Sequence, residues 1–335
     1  MKVLILRFSS IGDIVLTTPV IRAIKMQLPE SKVHFATKSK FFPILEANPY
    51  LNKIHCLEGS LWEFAKQLRK EKFDVVIDLH HNLRTFLLKK LLGVKAYHFP
   101  KLNWEKWLYV NLKINILPNV HVVDRYFEAV KPLGVVKDHF GLDYFIPPKD
   151  VVELEWLPET HRKEYVVVAI GGQHFTKRLP LPKLIELCDR INKPIILLGG
   201  KEDAETAHQI EIFFQRYPQN QPYEEGLAQL NKKTLIFNGC GKFNINQSAS
   251  IIQRAYAVFT HDTGLMHIAA AFHRRLFTIW GNTTPLFGMY PYNTSFTVFE
   301  NNKISCRPCS KIGYSRCPKK HFKCMNDLVF DFYLP

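Results

Sequence analysis

The chain has 335 residues, 47% of them hydrophobic and 13% aromatic, enough to fill two packed domains and too many for one ordinary core. Lys and Arg outnumber Asp and Glu by 45 to 30, and the net charge of +15 points to an anionic partner: nucleic acid, an anionic membrane face or a phosphorylated small molecule. Arg7 and Asp13 interrupt the apolar start too early for a signal peptide, no apolar run is long enough to span a bilayer, and seven cysteines fit reduced thiols better than a disulfide framework, so a cytosolic protein is expected.

From the amino end, "KVLIL" reads as a short buried strand, "RFSSIGD" as a polar turn, and "IVLTTPVIRAIKMQL" as one helix by its apolar spacing. "KVHFAT", "KIHCL", "DVVIDL" and "VKAYHF" follow as strands, with "SLWEFAKQLRKE" and "NLRTFLLKKLL" as helices between them. The alternation predicts a parallel sheet with right-handed crossovers. Residues 146–162 break the rhythm with three prolines and clustered charge, which sets a boundary between domains of residues 1–155 and 156–335. Beyond it "YVVVAI", "PIILL", "TLIF", "AVF" and "LFTIW" each run from a strand into a polar loop. The expected class is α/β: two doubly wound, Rossmann-like domains facing a central cleft, with ligands beyond the carboxyl ends of the strands.

The loops carry the chemistry. In "THDTGLMHIAAA", Asp262 or Thr263 caps a helix beginning near Leu265, and the N–H groups of Thr263, Gly264 and Leu265 favour an anion at its start. His267 leans toward the same point; a capped helix with a core histidine is the plainer alternative. Lys177 and Arg178 in "GGQHFTKRLP" lie at the same sheet edge, placed to neutralise a diphosphate leaving group unless they are a solvated basic loop. Glu202 and Asp203 in "GGKED" offer a carboxylate to ribose hydroxyls, or simply suit the first turn of a helix.

"SSIGD", with Ser9, Ser10, Gly12 and Asp13, matches neither the dinucleotide fingerprint nor a Walker loop. A carboxylate facing the cleft makes Asp13 a candidate general base, with helix capping as its alternative. His80, His81 and Arg84 in "DLHHNLRT" form an acceptor-side polar rim; adjacent histidines point apart and make a poor metal pair. "NWEKWLYVNLK" has the composition of a membrane-interface contact but reads first as a tryptophan-bearing packing helix. Cys306, Cys309, Cys317 and Cys324 are candidate zinc ligands, although only the first two have the close spacing of a zinc pair.

Taken together, "SSIGD" with its Thr-Pro helix, "DLHHNLR", "HVVDRY", "TKRLP", "GGKED", "HDTGLMHIAAA", "GNTTP" and the cysteine-rich tail resemble glycosyltransferase family 9, the ADP-heptose:lipopolysaccharide heptosyltransferases, along almost the whole chain. The resemblance implies a GT-B fold, with the acceptor on residues 1–155 and the ADP-sugar on residues 156–335. It implies inverting transfer of heptose or a related sugar to the lipopolysaccharide inner core, with no metal and no other cofactor. Carried over, Asp13 is the catalytic base, Lys177 a phosphate contact and Glu202 the ribose ligand, while Asp262, Thr263, Gly264 and His267 hold the diphosphate and sugar. Gly172, Gln173 and Arg178 join the donor contacts, and Ser10, Gly12, His80 and Arg84 the acceptor contacts. Leu179 stands where family members often have tryptophan, and His261 acquires no role. The expected protein is a cytoplasmic monomer, peripheral on the anionic inner-membrane surface, without a nucleic-acid partner. Its rivals are a sugar-nucleotide epimerase of related fold, which needs no acceptor, and a basic nucleic-acid-binding protein with a zinc module in the tail.

Overall fold

β1 (Lys2–Leu6) places four fully buried apolar side chains in a row, the pattern of a strand covered on both faces. The structure, a computed structural model, describes residues 1–216 and 233–334. β1 pairs in parallel with β2 (Lys32–Lys38) and β4 (Val75–Asp78); β3 (Lys53–Leu57) and β5 (Ala96–His98) complete a sheet ordered β3-β2-β1-β4-β5. A second parallel sheet, ordered β11-β10-β9-β6-β7-β8, is built from β6 (Val166–Ala169), β7 (Pro194–Leu198), β8 (Leu235–Asn238), β9 (Ala257–His261), β10 (Arg275–Trp280) and β11 (Phe296–Glu300). The expected α/β architecture of two doubly wound sheets is therefore the observed one.

The first sheet is flanked by α1 (Ile11–Val15), α2 (Thr18–Gln27), α3 (Leu61–Arg69), α4 (Leu83–Leu92), α5 (Asn103–Leu112) and α6 (Val122–Phe127). With the second run α7 (Leu181–Ile191), α8 (Ala204–Arg216), α9 (Ile245–Arg254), α10 (Gly264–Ala271) and α11 (Lys323–Asn326). Core side chains such as Val166, Val167 and Val168 are at most 1% exposed. Each buried aliphatic of this kind contributes about 1.5–3 kcal/mol.

Three local departures have physical causes. The single helix expected over "IVLTTPVIRAIKMQL" is two, because Pro19 has no N–H to give and the Thr17 and Thr18 hydroxyls donate to the Ile14 and Val15 carbonyls at 2.7 and 2.8 Å. β11 extends the second sheet beyond "LFTIW"; there Phe259, Phe277 and Phe299 stack across three neighbouring strands, with ring centroids 4.3 and 6.0 Å apart. And α5 is no packing helix. None of its residues is buried, and Trp104 and Trp107 stack on each other 5.2 Å apart while 64% and 44% exposed.

Strand order decides where a ligand can sit. In the first sheet successive strands run outward from β1 to β3, then restart at β4 on the other side of β1. In the second they run from β6 to β8, then restart at β9 beside β6. Neighbouring strands whose connections depart in opposite directions leave a crevice at their carboxyl ends. Those four ends carry "SSIGD", "DLHHNLR", "GGQHFTKRLP" and "THDTG", so the sequence motifs of both halves converge on two facing crevices.

Candidate active site between the two sheets

At the end of β1, Arg7 is 8% exposed, and a guanidinium that deep needs a full set of partners. Its Nε donates to the Ser9 carbonyl at 2.7 Å, its Nη1 to the Leu79 carbonyl at 2.5 Å and the Tyr126 hydroxyl at 3.2 Å, and its Nη2 meets Asp13 Oδ1 at 2.5 Å. The other Asp13 oxygen accepts from Ser10 Oγ at 2.7 Å and from the Ser10 amide at 3.1 Å. Burial works to raise the Asp13 pKa, but the Arg7 charge and the Ser10 donors outweigh it and hold the carboxyl at about 2. Asp13 is thus both helix cap and fixed carboxylate.

Beside it, Asp78 at the end of β4 accepts the His80 and His81 amides at 3.1 and 2.7 Å and pairs with Lys89 at 2.7 Å. The histidines diverge. His81 stacks on His98 with centroids 4.0 Å apart, whereas His80 lies 6.0 Å from Phe8 with a buried, unpartnered Nδ1. Burial, reinforced by Arg7 and Lys101, takes the His80 pKa down to about 4, so it is neutral at pH 7. Arg84 is exposed on the first turn of α4 and makes no hydrogen bond to a described residue.

Across the cleft, Thr263 is the cap residue of α10, but its hydroxyl leaves the first-turn N–H groups uncapped. Lys177 Nζ reaches this turn, 2.6 Å from Asp262 Oδ2 and 3.1 Å from the Asp262 carbonyl; Thr283 Oγ1 donates to the same carboxylate at 2.9 Å. Arg178 pairs with Asp203 at 3.3 Å, and Asp203 also accepts the Gly200 amide at 2.9 Å. Gly172 faces both loops: a Cβ there would sit 3.2 Å from Arg178 Cγ and 3.6 Å from Thr263 Cγ2. Gln173 and Glu202 are exposed, with Glu202 curled over Gly200.

His261, the residue without a role in the sequence, braces this arrangement. Its Nε2 accepts the Leu179 amide at 3.0 Å and its Nδ1 faces the Gly171 carbonyl at 3.4 Å, so the ring ties the loop after β6 to the end of β9. Burial lowers its pKa to about 4, keeping it the neutral acceptor that the Leu179 amide requires. The cysteine tail adds a second brace. Arg307 donates to the carbonyls of Gly281 and Thr283 at 2.5 and 3.0 Å, and the Tyr314 amide donates to Thr176 Oγ1 at 2.8 Å. Its four cysteines are free thiols, and among the described residues they form no group of three close enough for one ion.

The two halves touch at glycines. A Cβ on Gly12 would lie 2.5 Å from His267 Cδ2, and one on Gly264 would lie 2.5 Å from Ile11 Cγ2. α1 and α10 therefore pack start against start, with the neutral, 2% exposed His267 between them and its Nδ1 unpartnered. Two lysines stand in the field of Asp13. Lys101 donates to the His81 carbonyl at 3.1 Å, and Lys106 shares the field of Arg125, Lys311, Lys101 and Asp13. Partial loss of water around its half-buried ammonium, with the neighbouring cations, brings Lys106 down to about 7. It is charged below pH 7 and neutral above, so kcat/KM for an anionic substrate should fall as pH rises through 7. Lys106→Met should flatten that limb of the pH–rate profile; an unchanged limb would place the titration elsewhere.

Two doubly wound parallel sheets place an ionised carboxylate at one switch point and an uncapped helix start with a lysine at the other, the architecture of a GT-B glycosyltransferase. The chain belongs to glycosyltransferase family 9 (heptosyltransferase), whose sequence profile matches residues 61–320. It is 23% identical over 329 residues to lipopolysaccharide heptosyltransferase 1 of Campylobacter coli, covering 91% of each chain. Its fold matches that of the Escherichia coli ADP-heptose lipopolysaccharide heptosyltransferase II, with TM-score 0.69, 18% identity and 98% of both chains covered. It also matches a family 9 glycosyltransferase from Veillonella parvula, with TM-score 0.68, 20% identity and coverage of 89% of this chain and 85% of that one.

Proposed function

We propose that this glycosyltransferase moves heptose, or a closely related sugar, from an ADP-sugar to the lipopolysaccharide inner core, inverting the anomeric centre without a metal ion. Residues 1–155 bind the acceptor and residues 156–335 the donor. The observation that carries the reading is Asp13, held ionised by Arg7 and Ser10 one residue from the Gly12–His267 contact between the halves.

In this reading an acceptor hydroxyl near Ser10, Gly12 and His80 attacks the anomeric carbon from the side opposite ADP. The new C–O bond forms as the sugar–phosphate bond breaks, the hydroxyl proton passes to Asp13, and ADP departs carrying the electron pair. A carboxyl as acidic as Asp13 is a weak base toward a free alcohol. It suffices here because the attacking oxygen becomes strongly acidic once bonded to carbon. The diphosphate lies on the start of α10 with Thr263 and Gly264, near Lys177, Arg178, Asp262 and the free Nδ1 of His267; Gly172 and Gln173 close over it and Glu202 takes the ribose. Fixed N–H dipoles and cations then do the work a divalent ion would otherwise do. Transfer in excess chelator is the test: retained activity agrees with the reading, and activity restored only by added magnesium contradicts it.

A lipid-linked acceptor also requires approach to a surface. We place it on α5 and its continuation, where Trp104, Trp107, Leu112, Ile114 and Ile116 are 44–64% exposed. In this reading the contact is peripheral, made by one monomer at the cytoplasmic face; no helix among the described residues is long and apolar enough to cross a membrane. Replacing Trp104 and Trp107 with Ser should reduce sedimentation with anionic vesicles by about tenfold. Unchanged sedimentation would move the contact elsewhere.

A further inference from the structure

A second cluster lies at the opposite, amino-terminal edge of the first sheet and takes no part in the site above. His34 on β2 and His55 on the edge strand β3 place Nδ1 and Nε2 3.0 Å apart, with rings tilted by 31°. Phe73 stands edge-on to both rings, at centroid distances of 5.3 and 6.0 Å, and fixes their faces. Glu71 brings a carboxylate to the same point. The three ligand atoms lie within 4.8 Å of one another, and no other group of three His, Cys, Asp or Glu residues does so among the described residues.

We propose that His34, His55 and Glu71 form a binding site for a divalent first-row transition metal, linking β2, β3 and the segment that leads into β4. Two nitrogens 3.0 Å apart subtend close to a right angle at an ion about 2.1 Å from each, as in neighbouring positions of an octahedron. Two imidazoles with one carboxylate suit zinc, cobalt, nickel or iron(II) better than calcium or magnesium. The ion takes the place of the proton shared between His34 and His55. Glu71 is meanwhile held by two ammonium groups, Lys2 at 3.0 Å and Lys53 at 2.6 Å. Lys53 is 56% exposed, free to swing out and release Glu71 Oε1 to the metal. The site sits at the ends of the strands opposite Asp13, so its role is to staple the edge strand rather than to serve transfer.

Cobalt(II) titration of the full chain, followed by visible absorption, tests the assignment. The expected result is one equivalent bound with ligand-field bands and no thiolate-to-cobalt charge transfer. His55→Asn should weaken that binding by at least about tenfold, since even outer-sphere partners of a metal are worth that much. Lys53→Met should tighten it by about tenfold, because it removes a like charge that competes for Glu71. His55 is half-exposed on an edge strand, so its variant should keep the wild-type circular dichroism and transfer rate. No cobalt bound, thiolate charge transfer in place of ligand-field bands, which would put the ion on the tail cysteines, or an affinity indifferent to both variants would each overturn the proposal.

Discussion

Asp13→Asn should lower the rate of sugar transfer by about 10³-fold, within the range that removal of a general base costs, while nucleotide affinity stays nearly unchanged. The side chain keeps its size and its amide oxygen can still accept both Ser10 donors, but its NH2 then meets the Arg7 guanidinium in place of the ion pair, so unchanged circular dichroism and nucleotide affinity are what separate loss of the base from loss of structure. What disappears is the carboxylate that stands one residue from the Gly12–His267 contact, placed in this reading to accept the hydroxyl proton. The pKa of about 2 sharpens the expectation: the wild-type acid limb should lie far below neutral pH, since Asp13 is ionised throughout the working range. Arg7 acts through Asp13, as a positioning residue. Arg7→Lys keeps a charge but loses the fork that spans Ser9, Leu79, Tyr126 and Asp13, so kcat should fall with little change in donor KM.

Lys177→Met should cost about 10² in kcat, the scale of losing one preorganised charge aimed at a leaving group. Its consequence is compounded by Asp262, whose carboxylate is neutralised by Lys177 at 2.6 Å and would be left facing the diphosphate alone. The double variant Lys177→Met/Asp262→Asn should therefore recover part of the loss, and the two changes should be non-additive. Steady-state kinetics with both substrates varied separate the terms. A change confined to acceptor KM would remove Lys177 from the donor side.

Much of this arrangement is legible in the sequence because it lies at strand ends. Buried parallel strands read as short apolar runs, and a polar loop after each is visible without knowing strand order. That is enough to single out Asp13, Lys177, Asp262 and His267 as candidates, and the structure brings all four to the facing strand ends. What the sequence does not carry is the pairing across the cleft. Gly12 and Gly264 lie 252 positions apart in the chain (264 − 12), and only packing reveals that they touch. Arg7 passes for the end of an apolar strand until its burial demands partners. His261 has no local signal, because its partners are backbone groups of Leu179 and Gly171 in another loop. Lys106 is hidden in a helix whose tryptophans suggest core, yet α5 buries none of its residues and turns its lysine toward the cleft cations. β11 is likewise set by the stacking of Phe299 on its neighbour rather than by a strong pattern of its own.

The central claim is transfer from an ADP-sugar to a lipopolysaccharide core. Its most direct test is mass spectrometry of the products after the protein is mixed with ADP-heptose and an inner-core acceptor lacking heptose. The account predicts an acceptor heavier by one heptose residue and an equal amount of ADP, both absent when the acceptor is left out. ADP-heptose consumed or isomerised without an acceptor, or an acceptor left unchanged while ADP-heptose stays intact, would contradict it.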